Sequence, residues 1–282
     1  MGHGRKTTML RWRHRVGIEE PTTRPVHWVI QENQGDSQIV RAMVDALGAD
    51  GHMHHLVWLN KGLEIPVIPD LPDGTPLVCH GPAFIPRALN HARLRSGLFF
   101  DSATFCWSAF STGWKGSMLS SDGRVVPLSA ARELLHSGAK AFVRPDSDSK
   151  LFEGGVYDSS ALGAILKESR VSGATPVVVA SPVNIDAEWR FFVVASEIVG
   201  CSEYRRWGRL STQGSVPQAA VEFAQETALK WSPHNIYCLD LASADGRLGV
   251  LEANCFNASR LYGAVVSRVL QAVNAYVLAH FE

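Results

Sequence analysis

The chain has 282 residues, 46% hydrophobic and 19% charged, a globular composition long enough to bury roughly 70% or more of the unfolded surface without disulfide or metal staples. Twenty-seven Lys and Arg balance 27 Asp and Glu, so no overall field draws in a polyanion or an anionic membrane. Five scattered cysteines form no zinc or redox spacing, and no run of about 18 apolar residues or leader-like segment is present, so a soluble, reduced, cytoplasmic protein is expected.

Residues 1–25 carry Arg5, Lys6, Arg11, Arg13, Arg15 and Arg24 against Glu19 and Glu20, six cations less two anions. This stretch reads as a solvated basic tail, the one place suited to nucleic acid. Residues 26–110 alternate short apolar runs with one helical pattern and predict a small α/β domain. His27–Gln31, His55–Leu59, Pro76–His80 and Leu98–Asp101 read as strands. Asp36–Leu47 reads as a helix with Ile39, Val40, Met43 and Leu47 on one face and Gly48 as its stop.

Residues 108–128 are rich in Ser and Gly and read as a connection, with a boundary near 110. Residues 111–282 then form a larger α+β domain. A helix is expected over Ser129–Ser137, strands in Ala141–Pro145, Pro176–Ser181, Trp189–Arg205 and Ile236–Asn254, a helix at Pro217–Trp231, and a last helix from Tyr262 that places Val266, Val269, Leu270, Val273 and Val277 on one face. The strands predict a largely antiparallel sheet.

Three clusters carry chemistry. In the hairpin Tyr237–Asn254, polar Asp240, Glu252 and Asn254 interrupt apolar strands. Glu252 and Asn254, two apart, share a face. A two-residue turn at Asp245-Gly246 would put Asp240 on the other face, whereas a three-residue loop Ala244-Asp245-Gly246 would bring all three together. Two carboxylates and an amide oxygen form a hard-oxygen site suited to Mg²⁺ holding substrate phosphates; exposed strand-end acids are the plainer alternative. In the second cluster, strand Phe142-Val-Arg144-Pro runs into a polar loop with Lys150, Gly154 and Gly155, a segment able to fold over phosphates. In the third, the apolar strand with Val178, Val179 and Ala180 meets a link at Ser181 and Val183 compatible with adenine. Beyond it, Glu188 and Arg190 share a strand face.

Taken in order, Phe-Val-Arg144-Pro with Lys150-Leu-Phe-Glu-Gly, Glu188-Trp-Arg190-Phe-Phe-Val-Val with Ser202-Glu-Tyr204, and Leu239-Asp240 with Leu251-Glu252-Ala-Asn254 resemble the ATP-grasp superfamily, in particular its clade with two arginines and one lysine. The resemblance runs from about 140 to 262. It implies an ATP-grasp fold, two α+β subdomains sandwiching ATP, preceded by the small α/β domain. It places Arg144 and Lys150 on the phosphates and the Val178–Val183 link, with Glu188 nearby, against the nucleotide. Arg190 would face the γ-phosphate or acyl phosphate, and Asp240, Glu252 and Asn254 would bind Mg²⁺ or Mn²⁺. The activity implied is an ADP-forming carboxylate–amine ligase on an amino acid or peptide, working through an acyl phosphate. The short glycine pair departs from the extensive glycine-rich lid of other members.

Two alternatives use the same pocket: a nucleotide-binding sensor or scaffold without ligation, and a phosphotransferase. His52, His54 and His55 read as surface histidines rather than a metal site. Trp107, Trp114, Trp189, Trp207 and Trp231 read as packing anchors. Arg205, Arg206 and Arg209 are left equally open to an anionic substrate or to solvent.

Overall fold

A computed structural model describes residues 24–60, 62, 64, 71–72, 74–148, 151–168 and 171–280. All but two residues of the expected basic tail lie outside them, as does Lys150.

The chain opens with β1 (His27–Gln31), α1 (Ser37–Ala49), β2 (Met53–Val57) and β3 (Leu77–His80), which form a parallel sheet in the order β2-β1-β3. The Asp36 carboxylate accepts the Ile39 N–H at 3.1 Å to cap α1, and Val40, Met43 and Leu47 are buried. The helix passes through Gly48 and stops at Ala49; Gly51, at φ 75°, makes the turn instead. Leu98–Asp101 is not a strand. It follows a 3-10 turn at Leu94–Gly97, and the Phe99 N–H goes to the Asn257 side chain at 2.7 Å rather than to a sheet neighbour. The apolar run there serves burial, with Leu98, Phe99 and Phe100 all inside.

After the short α2 (Phe84–Ala88), the expected connection over 108–128 holds most of a helix, α3 (Trp107–Gly113), and a strand, β4 (Arg124–Pro127). At seven residues α3 is too short to show a period, yet it brings in Trp107 and Phe110, and Trp114 just beyond it is fully enclosed. Then come α4 (Leu128–Leu134), β5 (Ala141–Pro145), β6 (Gly155–Tyr157), α5 (Ser159–Ile165) and β7 (Pro176–Ala180). The strands make an antiparallel sheet ordered β4-β7-β5-β6, packed on α4 and α5 through Val143, Val177, Leu128 and Leu162.

The rest of the chain supplies β8 (Ile185–Val194), β9 (Glu197–Arg206), β10 (Arg209–Leu210), α6 (Gln218–Lys230), β11 (Ile236–Ala244), β12 (Arg247–Cys255) and α7 (Val266–His280). Its antiparallel sheet runs β10-β9-β8-β11-β12. The expected single sheet is thus two, parted at the exposed link Ser181–Asn184, where Pro182 has no N–H to continue a ladder. The last helix begins at Val266 rather than Tyr262, because Tyr262 sits at φ 47°, which an α-helix does not admit.

Alternation along these strands builds two interiors. One face of the five-stranded sheet, with Trp189, Phe191, Tyr237, Leu239 and Leu241, packs on Ala220, Ala224 and Ala228 of α6 and on Phe110 and Trp114. The other, with Phe192, Val194, Ile236 and Cys238, meets α7 through Val269, Leu270 and Val273 and α1 through Met43 and Leu47. On this second face the next cross-strand pair after Phe192 and Cys238 is Arg190 opposite Asp240. The sheet turns from apolar to ionic within one step.

Candidate functional site

The hairpin of β11 and β12 closes on a two-residue turn, with Asp245 at φ 50° and Gly246 at φ 75° and Ala244 paired to Arg247. The three-residue loop is therefore wrong. The three polar residues gather by another device: the register shifts between Asp240 and Leu241, so that Leu241 faces Val250, Asp240 faces Glu252 and Leu251 is the unpaired residue of a β-bulge. Asn254 Nδ2 donates to Asp240 Oδ2 at 2.9 Å and to Glu252 Oε1 at 3.0 Å.

Two arginines close on these carboxylates from different sheets. Arg144, on β5, donates from Nη1 to Glu252 Oε2 at 2.6 Å, joining the four-stranded sheet to the five-stranded one. Arg190 meets Asp240 through Nε and Nη2 at 2.8 and 2.7 Å, a bidentate pair with both side chains buried. Burial works against the Arg190 charge, but Asp240 more than offsets it and holds the guanidinium firmly protonated. Burial raises the Asp240 carboxyl, with Glu252 and Glu188 pushing the same way against Arg190. Burial also works to raise Glu252, yet Arg144, Asn254 and Arg190 together bring it below the usual carboxylate range.

A second bulge lies beside the first. Glu188 pairs with Arg205 and Trp189 with Glu203, leaving Tyr204 unpaired on β9. Its ring stacks on Tyr262 at 5.1 Å, the Arg190 guanidinium lies 5.4 and 5.2 Å from the two ring centres, and its hydroxyl donates to Glu188 Oε2 at 2.5 Å. Glu188 is thus occupied with Tyr204 and, at 3.5 Å, Arg205.

Arg144, Arg190, Asp240, Glu252 and Asn254 therefore form one continuous hydrogen-bonded set. The link residues sit apart from it. Val178 is sealed into the core with Trp107, Val179 into the core of the four-stranded sheet, and Ala180 is buried. Ser181 and Val183 are exposed, and the Ser181 N–H is held by Asp122 at 2.9 Å. Gly154 lies against Arg144: a Cβ there would come within 3.1 Å of the Arg144 Cβ.

Tyr262 and Asp146 were missed by sequence reasoning. Asp146 accepts from Ser108 N at 2.8 Å and Ser108 Oγ at 2.5 Å, fastening the end of the Arg144 strand to α3. Neither sits in a motif, and only their spatial partners disclose them.

The donor set fits a hard cation. Among the described residues no three His, Cys, Asp or Glu side chains cluster as a closed metal cage would require. Two carboxylates and an amide are what a Mg²⁺ that keeps phosphate and water ligands needs. Asn254 would present Oδ1 to such an ion by a half-turn of its amide, which also frees the Asp240 Oδ2 lone pair that now accepts from its Nδ2; Asp240 Oδ1 and both Glu252 oxygens each accept one bond and keep a second lone pair.

Two antiparallel sheets, joined through Arg144 and Glu252, thus follow a parallel α/β layer. Residues 122–272 match the model of the ATP-grasp domain, family 2 of the clade named for its two arginines and one lysine, and since this is more than half of the chain, the protein belongs to that family. No curated protein matches the sequence. Solved structures with the same fold include a RimK domain ATP-grasp protein from Sphaerobacter thermophilus, 17% identical over 90% of this chain and 100% of that one, with a TM-score of 0.58. The ATP-grasp ligase PsnB, complexed with a precursor peptide and AMPPNP, is 14% identical over 92% and 100%, TM-score 0.56. D-alanine–D-alanine ligase from Bacillus anthracis is 14% identical over 91% and 98%, TM-score 0.54. The α+β ATP-grasp fold expected from the motifs is the observed one, and no helix among the described residues is long and apolar enough to cross a membrane.

Proposed function

We propose that the protein is an ATP- and Mg²⁺-dependent ligase that joins a carboxylate to an amine through an acyl phosphate, acting on an amino acid or a peptide. The observation that carries this reading is the set Arg144–Glu252–Asn254–Asp240–Arg190, which puts two cations and three potential oxygen ligands within one hydrogen-bonded cluster between two sheets. Family membership supports it, and so do fold relatives that are ligases: PsnB bound to peptide and AMPPNP, and D-alanine–D-alanine ligase complexed with ATP.

In this reading residues 26–110 form the preceding domain and 111–282 the catalytic one. Arg144 and Lys150 hold ATP phosphates, the link at Ser181–Val183 meets the adenine through its backbone, and Asp240, Glu252 and Asn254 hold the cation. Bound there, Mg²⁺ supplies charge neutralisation and orientation to the phosphates. A substrate carboxylate oxygen attacks the γ-phosphorus and the bond to the ADP oxygen breaks. The amine nitrogen then attacks the acyl carbon, the carbon–oxygen bond to phosphate breaks, and the nitrogen gives up a proton. Arg190 has Nε and Nη2 committed to Asp240, so Nη1, which has only a long contact of 3.5 Å to the Arg260 carbonyl, is the donor offered to the transferring phosphoryl group. Its charge, fixed in advance by Asp240, needs no reorganisation as negative charge moves.

The test is ADP formation across panels of carboxylates and amines. ADP release that requires both partners supports ligation. ADP release with one substrate alone, unchanged by every amine in the panel and matched by an equal amount of a phosphorylated product that persists, indicates a phosphotransferase. Nucleotide binding without turnover indicates a sensor or scaffold.

A further inference from the structure

Beyond Tyr204 the β9–β10 hairpin breaks three rules of hairpin stability at once. Trp207 occupies the first turn position at φ 49°, followed by Gly208 at φ 71°. That left-handed conformation favours Asn or Asp, and a bulky residue there is a conformational outlier. Its indole is 68% exposed and Leu210 next to the turn is 71% exposed, so neither gains from burial. Arg206 and Arg209 stand directly opposite one another across the hairpin, a like-charge pairing that destabilises a sheet. Of the tryptophans expected to anchor packing, Trp107, Trp114 and Trp189 are buried and Trp231 packs half-buried against the same core; Trp207 is the one that departs.

Local choices that cost stability without a structural return mark a surface kept for contact. The cations here are not all committed. Arg206 pairs with Glu203 and Arg205 with Glu188, while the Arg209 side chain has no hydrogen-bond or ion-pair partner among the described residues. This is charge enough for one or two carboxylates. It is too little for a phosphate backbone, on a chain whose net charge is zero.

The hairpin is also joined to the candidate site along both strands. Tyr204, which stacks beside Arg190, lies three residues before Trp207 on β9, about 10 Å at strand spacing. On the exit side the Thr212 carbonyl packs on Gly263, where a Cβ would come within 2.7 Å of it, next to Tyr262. The Trp207 N–H is fixed on the Asp186 carbonyl at 2.9 Å.

We infer that this hairpin is a docking surface for an acidic segment of a peptide substrate, with Arg209 and the outer faces of Arg205 and Arg206 taking its carboxylates and Trp207 and Leu210 an apolar side chain. The inference rests on the peptide-ligase reading and names how that substrate is held outside the reacting centre.

Fluorescence anisotropy of a labelled ten-residue peptide of alternating Glu and Leu, which needs no turnover, separates its failure from failure of the ligase reading. The full-length protein should bind the probe, with affinity falling as salt rises. Arg209→Glu and Trp207→Asn should each weaken binding about tenfold or more. Trp207→Asn should at the same time raise Tm by roughly 2 °C, because Asn suits the left-handed turn; a structural tryptophan would instead lower it. Failure to bind the probe, equal binding by the variants, equal binding of a matched peptide with Gln in place of each Glu, a lowered Tm in Trp207→Asn, or tighter binding of a ten-residue oligo-dT would each overturn the assignment.

Discussion

Arg190 and Asp240 face one another across β8 and β11 and share two parallel N–H···O bonds of 2.8 and 2.7 Å. The pair is buried, so its Coulomb attraction is largely consumed by desolvation and it adds little net stability. What it supplies is direction: the planar fork locks the guanidinium in one orientation, with Nη1 beside the Arg260 carbonyl at 3.5 Å. Arg190→Lys keeps the charge but not the fork, and should cut turnover at least 100-fold with a modest loss in Tm. Arg190→Met strands Asp240 as an uncompensated buried charge and should cost about 3–5 kcal/mol of stability. Steady-state ADP release and thermal unfolding of both variants check this.

Glu252→Gln preserves size and can still accept from Asn254. It removes one of the two negative charges offered to the cation and weakens the contact with Arg144 at 2.6 Å. Mg²⁺-dependent turnover should be lost with Tm within a few degrees of the parent. Unchanged activity would remove Glu252 from the metal site.

His80 closes β3 in a fully buried position against Trp28 and Phe256. Burial drives its pKa down to about 4, with the Ser259 backbone working weakly the other way, and neither ring nitrogen makes a hydrogen bond of normal geometry among the described residues. The unfolded chain takes up this proton near pH 6.5 and the folded one does not, so stability is complete above about 6.5 and declines as pH falls toward 4. At pH 5 the loss is about 2 kcal/mol. Chemical denaturation at pH 7 and pH 5 should show this difference, and His80→Phe should reduce it.

Asn257, also fully buried, accepts the Phe99 N–H at 2.7 Å and donates to the carbonyls of Cys79 and Gly97 at 2.5 and 2.8 Å. It ties the end of β12 to the parallel sheet. Asn257→Ala leaves three buried backbone groups unpaired, at a cost of about 3–5 kcal/mol, or a fall in Tm of roughly 10 °C. A fall of only one or two degrees would show that water replaces the side chain.

Much of this arrangement is legible before any coordinates. The apolar runs of β1, β5 and β7, the Asp36 cap of α1 and the acids of β11 and β12 are local signals, and they bring Arg144, Arg190, Asp240, Glu252 and Asn254 forward as candidates. The relations among them are less legible. Tyr204 reaches Arg190 only because β9 bulges there, and the bulge is set by pairing with β8, not by its neighbours in sequence. Tyr262 depends on a positive φ that a helical pattern conceals. Asp146 looks like loop acidity until Ser108, 38 residues earlier, comes beside it. Leu98–Asp101 misleads because burial alone mimics a strand.

The unpaired Leu251 bears on how other members of this group are found. Because one extra residue is absorbed in the ladder, the distance in sequence between the two acids is a free variable, while the opposition of their side chains is not. A chain with one residue fewer and an unbroken ladder would bring the same groups together, and a search that demanded fixed spacing would discard it.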